Sequence, residues 1–167
     1  MAHISLADPF CPDLSAQLAE ASERSGAVTH RGGTVVVIEG PAFSTRAESE
    51  LYRSWGAHVI GMTALPEAKL AREAEICYAS LCSVTDYDVW HEQQEDVSAE
   101  LILANLQRNA ERGRATVSAT MTALDGERRC ACGEALTTSL VTAPELAPAE
   151  TRRRLAALLE PQRGTSP

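Results

Sequence analysis

Basic residues are scarce in this chain, 15 Lys and Arg against 23 Asp and Glu, and the net charge is −8. Aromatic residues are scarcer still, at 4%. No Lys/Arg cluster is interleaved with rings, the pattern that grips phosphates and stacks bases, so nucleic acid is excluded as an expected partner. Long apolar runs are missing too. Nowhere do about 18 consecutive apolar residues occur, and residues 1–12 carry neither a basic leader nor the apolar run of a signal peptide. The expectation is a soluble, cytoplasmic protein with no membrane partner. Cysteine is present in odd number, five (Cys11, Cys77, Cys82, Cys130, Cys132), in a chain too large to need a disulfide framework. That usage points to a reducing compartment and free thiols.

What is there fits one domain. The 167 residues, 44% hydrophobic, match a typical domain of roughly 100 to 200 residues that buries about two thirds of its unfolded surface. Residues 12–24 place Leu14, Leu18 and Ala21 on one helical face, with Pro12 in the first turn and Gly26 as the stop. Two β-prone stretches at 27–30 and 34–39, joined by Arg31-Gly32-Gly33, suit a hairpin. Val35-Val36-Val37-Ile38 reads as a buried strand.

After Gly40-Pro41, Thr45-Arg46-Ala47-Glu48 is a capping box that opens a helix with Leu51 and Trp55 inward, ended by Gly56. A strand at 58–62, a helix at 66–74 and an apolar strand at 76–84 follow. This alternation predicts an α/β sheet with ligands in the loops at strand ends. A long helix from about Ser98 carries Leu101, Ile102, Leu106 and Ala110 at three- and four-residue spacing. A short segment at 132–142, a Pro/Ala-rich link, a helix at 148–159 and a polar tail end the chain.

Three stretches then stand together: Gly33-Thr34 through Ile38-Glu39-Gly40-Pro41-Ala42-Phe43-Ser44-Thr45-Arg46-Ala47-Glu48, then Trp55-Gly56-Ala57 through Gly61-Met62-Thr63, and Pro66-Glu67. They continue through Ala71-Arg72-Glu73-Ala74, Cys77-Tyr78-Ala79-Ser80 and Thr85-Asp86-Tyr87-Asp88. Upstream stand His3-Ile4 and Ala7-Asp8-Pro9-Phe10-Cys11-Pro12. In order and spacing this series resembles the S-methyl-5'-thioadenosine phosphorylases, within the trimeric purine nucleoside phosphorylases. The match covers about 3–143, with 144–167 as a C-terminal helix and tail.

The resemblance implies a mixed-sheet α/β fold of the phosphorylase/hydrolase type. Only its C-terminal portion is expected, without the N-terminal strands and the Gly-rich phosphate loop of the family. It implies phosphorolysis of 5'-methylthioadenosine to adenine and 5-methylthioribose 1-phosphate, a purine and methionine salvage reaction. Phosphate is the co-substrate and no cofactor is needed; the expected assembly is a homotrimer. Two alternatives stand beside it: a catalytically inactive purine-binding fragment, and a purine nucleoside phosphorylase acting on adenosine or inosine.

Phosphorolysis passes through an oxocarbenium-like sugar, and its barrier falls when the departing purine is protonated at N7. Asp86 matches the family residue facing N7 and is the expected general acid. Asp88 is expected to accept from the 6-amino group. The inosine-cleaving relatives carry Asn in place of Asp86 and Glu in place of Ser44, so this chain follows the adenine pattern. Without the resemblance, Asp86-Tyr87-Asp88 reads as a solvated turn cap.

The resemblance also implies that Phe43 stacks on the base, Ser44 bonds to its edge, Met62 backs the ribose and the Thr63 hydroxyl reaches phosphate. Val97, Ala99, Ile102 and Leu103 would wall the 5'-methylthio group. His3 would cross to a neighbouring subunit's 5' pocket. Cys130-Ala131-Cys132 supplies only half of a structural zinc site, and no second Cys/His pair stands close in sequence, so no metal is expected.

Overall fold

The computed structural model describes residues 1–90 and 99–159. Helix α1, Pro12–Arg24, begins with a proline whose missing N–H costs nothing in a first turn, and Gly26 at φ +78° turns the chain away after it. Cys11 is its N-cap: the sulfur accepts the Leu14 amide at 3.4 Å.

Helix α1 packs on α4, Ala99–Ala123, through small residues. Ala21 and Ser22 of α1 and Thr116 and Thr120 of α4 are all buried. A buried hydroxyl without a partner costs about 1–3 kcal/mol, and here each hydroxyl has one. Thr29 Oγ1 donates to Ser22 Oγ at 2.8 Å, Ser25 Oγ lies 3.4 Å from Thr116 Oγ1, and Thr120 Oγ1 donates to the Thr116 carbonyl at 2.9 Å. Leu106, one of the apolar residues at helical spacing along α4, is exposed. The packing stripe sits further down the helix, where small side chains let the two backbones approach.

The expected hairpin does not form. Strand β1, Val35–Val37, pairs in parallel with β2, Val59–Gly61, with Val35 opposite Val59 and Val37 opposite Gly61. The segment before β1 is held by α1 instead, since Arg31 reaches both carboxylate oxygens of Glu23 at 2.9 and 2.7 Å. Between the strands runs α2, Arg46–Ser54, giving a βαβ unit of the α/β class expected.

The capping box of α2 is present: Thr45 Oγ1 accepts the Glu48 amide and Glu48 Oε2 accepts the Thr45 amide. Leu51 and Trp55, expected inward, are 46% and 67% exposed; the buried residue of α2 is Ser49, at 3%. Hydrophobic period marks an apolar face but does not say what covers it. Helix α3, Ala64–Glu73, starts two residues before Pro66, with Thr63 as its N-cap.

Residues 76–84 form no strand. A ladder needs a neighbouring strand, and none among the described residues lies beside this run. Single bonds hold it instead: the Tyr78 carbonyl accepts the Cys11 amide at 2.7 Å, and the Val84 carbonyl accepts Asn109 Nδ2 at 3.1 Å. The expected last helix is split into α5, Ala149–Arg154, and α6, Ala156–Leu159. The chain start meets the C-terminal part through an antiparallel bridge of Ala2 with Leu140.

Gly40 joins the two strand ends. It has φ +71°, and a Cβ there would lie 2.7 Å from Met62 Sδ. Gly40→Ala therefore meets a left-handed backbone cost of about 1–2 kcal/mol and displaces the thioether, an expected loss measurable by urea unfolding. Thr45→Ala should lose about 1 kcal/mol through the missing cap, read in the same titration.

Candidate functional site

Strands β1 and β2 run parallel, so their carboxyl ends open on the same side of the pair. Residues 38–45 leave β1 and Met62-Thr63 leave β2, and the Gly40–Met62 contact brings the two exits together. Phe43 lies in the first exit with its ring 88% exposed, free to stack on a planar ligand. Ser44 beside it is half-buried. Met62 is half-buried against Gly40. Thr63 stands at the N-cap of α3, yet its side chain makes no capping bond, which leaves the exposed hydroxyl available to an anion.

The loop at 85–90 reaches this rim by hanging from α2. Ser49 Oγ donates to Asp88 Oδ2 at 2.6 Å, Arg46 donates to the Val89 carbonyl, and the Arg53 guanidinium lies 3.5 Å from the centre of the Trp90 ring. Tyr87 meets Trp90 edge to face, with ring centroids 6.2 Å apart. Asp88 has φ +62°, a conformation that aspartate tolerates better than most residues.

Asp86 is exposed and orders its own turn. Its Oδ1 accepts the Asp88 amide at 2.9 Å and its Oδ2 accepts the Thr85 hydroxyl at 2.8 Å. Asp86 thus caps its own turn, and each of its carboxylate oxygens keeps a second lone pair. Asp88 is similarly engaged, with Val89 N–H on Oδ1 at 2.8 Å and Ser49 on Oδ2. Fixed carboxylates lose little freedom on meeting a ligand.

Phe43, Ser44, Met62, Thr63, Asp86 and Asp88 are therefore tied together through α2 and the strand ends. The structure shows less of the residues expected to wall a 5' group. Val97 lies outside the described residues, Ala99 and Ile102 belong to the first turn of α4, and Leu103 is 58% exposed. His3 is exposed, and its backbone amide donates to the Ser139 carbonyl at 2.8 Å, tying it to the C-terminal segment.

An open apolar groove of about 920 Å³ lies elsewhere, between Leu81 and Ser83 and the α4 side chains Leu106, Asn109 and Val117. It contains none of the predicted site residues. Sequence reasoning missed Ser49, a lone helical serine whose partner stands 39 positions away. Nothing local signals such a bond.

Known proteins share this sequence and fold. Residues 1–122 match the model of the phosphorylase superfamily. The chain is 52% identical over 155 residues to an S-methyl-5'-thioadenosine phosphorylase of Geobacter sulfurreducens, covering 93% of this chain and 54% of that protein. A crystal structure of a methylthioadenosine phosphorylase from an antarctic soil metagenomic library superposes with TM-score 0.88 at 46% identity, over 95% of this chain and 56% of that one. The methylthioadenosine phosphorylase of Schistosoma mansoni in complex with adenine follows at TM-score 0.66 and 30% identity, over 77% and 50%. The chain spans about half the length of the curated relatives it matches. No helix among the described residues is long and apolar enough to cross a membrane. By sequence and by fold, the chain belongs to the phosphorylase superfamily.

Proposed function

We propose that this chain carries the purine side of a site that cleaves 5'-methylthioadenosine with phosphate. The observation that carries the reading is the suspension of the Asp86–Asp88 turn from α2, whose N-terminus continues directly from Phe43 and Ser44. Acid, acceptor and stacking ring are thereby fixed to one helix. Support comes from relatives named as phosphorylases of this nucleoside.

In the proposed reaction a phosphate oxygen bonds to the sugar C1' as the bond from C1' to the purine N9 breaks. The bonding pair passes into the ring, and a proton arriving at N7 makes the leaving group neutral adenine. Asp86 supplies that proton from its carboxyl group or through a water that it orients. Asp88 accepts from the 6-amino group with the lone pairs that Ser49 and Val89 leave unused.

Phe43 stacks on the base, Ser44 bonds to its edge, Met62 backs the ribose and Thr63 donates to phosphate. Val97, Ala99, Ile102 and Leu103 wall the methylthio group, and His3 from a neighbouring subunit of a homotrimer completes it. A pocket built for an apolar 5' group disfavours adenosine, since a buried hydroxyl without a partner costs about 1–3 kcal/mol. The products, adenine and 5-methylthioribose 1-phosphate, feed salvage in the cytoplasm, with no cofactor beyond phosphate.

Calorimetric titration with adenine and with 5'-methylthioadenosine, each with and without phosphate, tests the assignment. Saturable binding that weakens in Asp86→Asn is expected; no heat in any mixture overturns it. Binding that ignores phosphate would favour a purine-binding fragment over a working enzyme. In any mixture that releases adenine, Asp86→Asn should slow release roughly 100- to 10,000-fold. Ser49→Ala should weaken adenine binding about tenfold, equivalent to about 1.4 kcal/mol, with the circular dichroism of the helices unchanged.

A further inference from the structure

Four of the five cysteines converge. The sulfurs of Cys11, Cys77, Cys130 and Cys132 all lie within 4.8 Å of one another, and those of Cys77 and Cys130 are 3.3 Å apart. Cys82 alone stays outside, exposed. The convergence is built from three segments far apart in sequence, each held by its own backbone bonds. Cys11 donates its amide to the Tyr78 carbonyl at 2.7 Å, which sets the start of α1 beside Cys77. Glu75 docks the third segment: its carboxylate accepts the Leu136 amide at 2.9 Å, and its carbonyl accepts Arg128 Nη1 at 3.0 Å.

We propose that Cys11, Cys77, Cys130 and Cys132 form a structural zinc site that clamps the start of α1, the segment at Cys77 and the turn at 130–134 together. A tetrahedral centre with zinc–sulfur bonds of about 2.3 Å sets its sulfurs about 3.8 Å apart, inside the span from 3.3 to 4.8 Å found here. An all-sulfur tetrahedron suits zinc or iron–sulfur chemistry. A multi-iron cluster places several metal and sulfide atoms between its thiolates, which needs wider separations than these. The reading is independent of the purine site.

The surroundings fit a thiolate centre. Cys11 and Cys132 are 1% and 5% exposed, and with Ala21 and Ala68 they are the buried apolar side chains of the described residues. Amide N–H groups aim at two of the sulfurs: Leu14 at Cys11, at 3.4 Å, and Cys132 at Cys130. Such bonds stabilise ligand thiolates.

Burial pushes the Cys130 thiol up, but the Cys132 amide and the neighbouring thiols outweigh it and bring it down to about 7. Burial, reinforced by the neighbouring thiols, pushes Cys77 up to about 12 and Cys132 to about 11. Each thiol gives its proton to solvent as its bond to zinc forms, so affinity falls as pH is lowered.

The chain, purified with reductant and zinc and then desalted, should retain one zinc per chain by elemental analysis and native mass spectrometry. Cobalt in its place should show tetrahedral d–d absorption with a sulfur-to-metal charge-transfer band. Alkylation of the metal-loaded folded chain should label Cys82 alone, and a chelator should open the other four. Cys82→Ser should bind zinc as the unaltered chain does, and Cys130→Ser with Cys132→Ser should bind more than about 100-fold more weakly. Should that double variant fail to fold, cobalt spectra and alkylation of the unaltered chain decide the matter. No retained zinc, cobalt without the charge-transfer band, or disulfides in place of free thiols under reductant would overturn the proposal.

Discussion

A parallel strand pair must satisfy its backbone groups through a neighbour reached by a crossover, and the rest of this structure follows from how one such pair does so. Val35–Val37 and Val59–Gly61 exchange slanted hydrogen bonds in register, with α2 as the crossover. Both strands therefore release their chains at the same end. The close seat of Gly40 on Met62 then fixes the two exits against each other, a contact that only a residue without Cβ allows at φ +71°. Everything proposed to touch base, sugar or phosphate lies on those exits or on a loop suspended from the crossover helix.

The run from 75 to 90 is held at several points along its length. At its start, Cys77 sits among three other sulfurs and Glu75 grips the segment at 128–136. Further on, Asp88 is bonded to Ser49, and Arg46 and Arg53 secure Val89 and Trp90. Asp86 lies between these anchors on a run that has no ladder of its own. Its position is therefore set by bonds to other segments before and after it rather than by a ladder.

Polar and small contacts dominate the packing. Helices α1 and α4 meet through Ser22, Ser25, Thr116 and Thr120, while Leu106, Val117 and Met121 stay exposed. A hydroxyl pair inside a close helix contact is specific because each partner, left alone, would be costly. The apolar faces of α4 and of 76–84 bound an open groove.

By itself the sequence determined the elements whose causes are local. The proline start and glycine stop of α1, the capping box of α2 and the β-branched run of β1 each act within a few residues, and all three stand where the pattern put them. The family resemblance named Phe43, Ser44, Met62, Thr63, Asp86 and Asp88, which lie on the exits of the parallel strands and on the loop bonded to α2. Only the tertiary structure decided the rest. Residues 76–84 have no neighbouring strand among the described residues and make no ladder; Arg31 pairs with Glu23 of α1, and β1 pairs in parallel with β2 instead of in a hairpin. Leu51 and Trp55 kept their period but found no cover, and Ser49 was buried by a partner far along the chain. The expectation of no metal counted ligands by sequence spacing, whereas α1 and the segment at Cys77 bring two more thiols to Cys130 and Cys132. Spacing along a chain fixes what neighbours in sequence can do, but hydrogen bonding and ligation act through space, and only folding sets those distances.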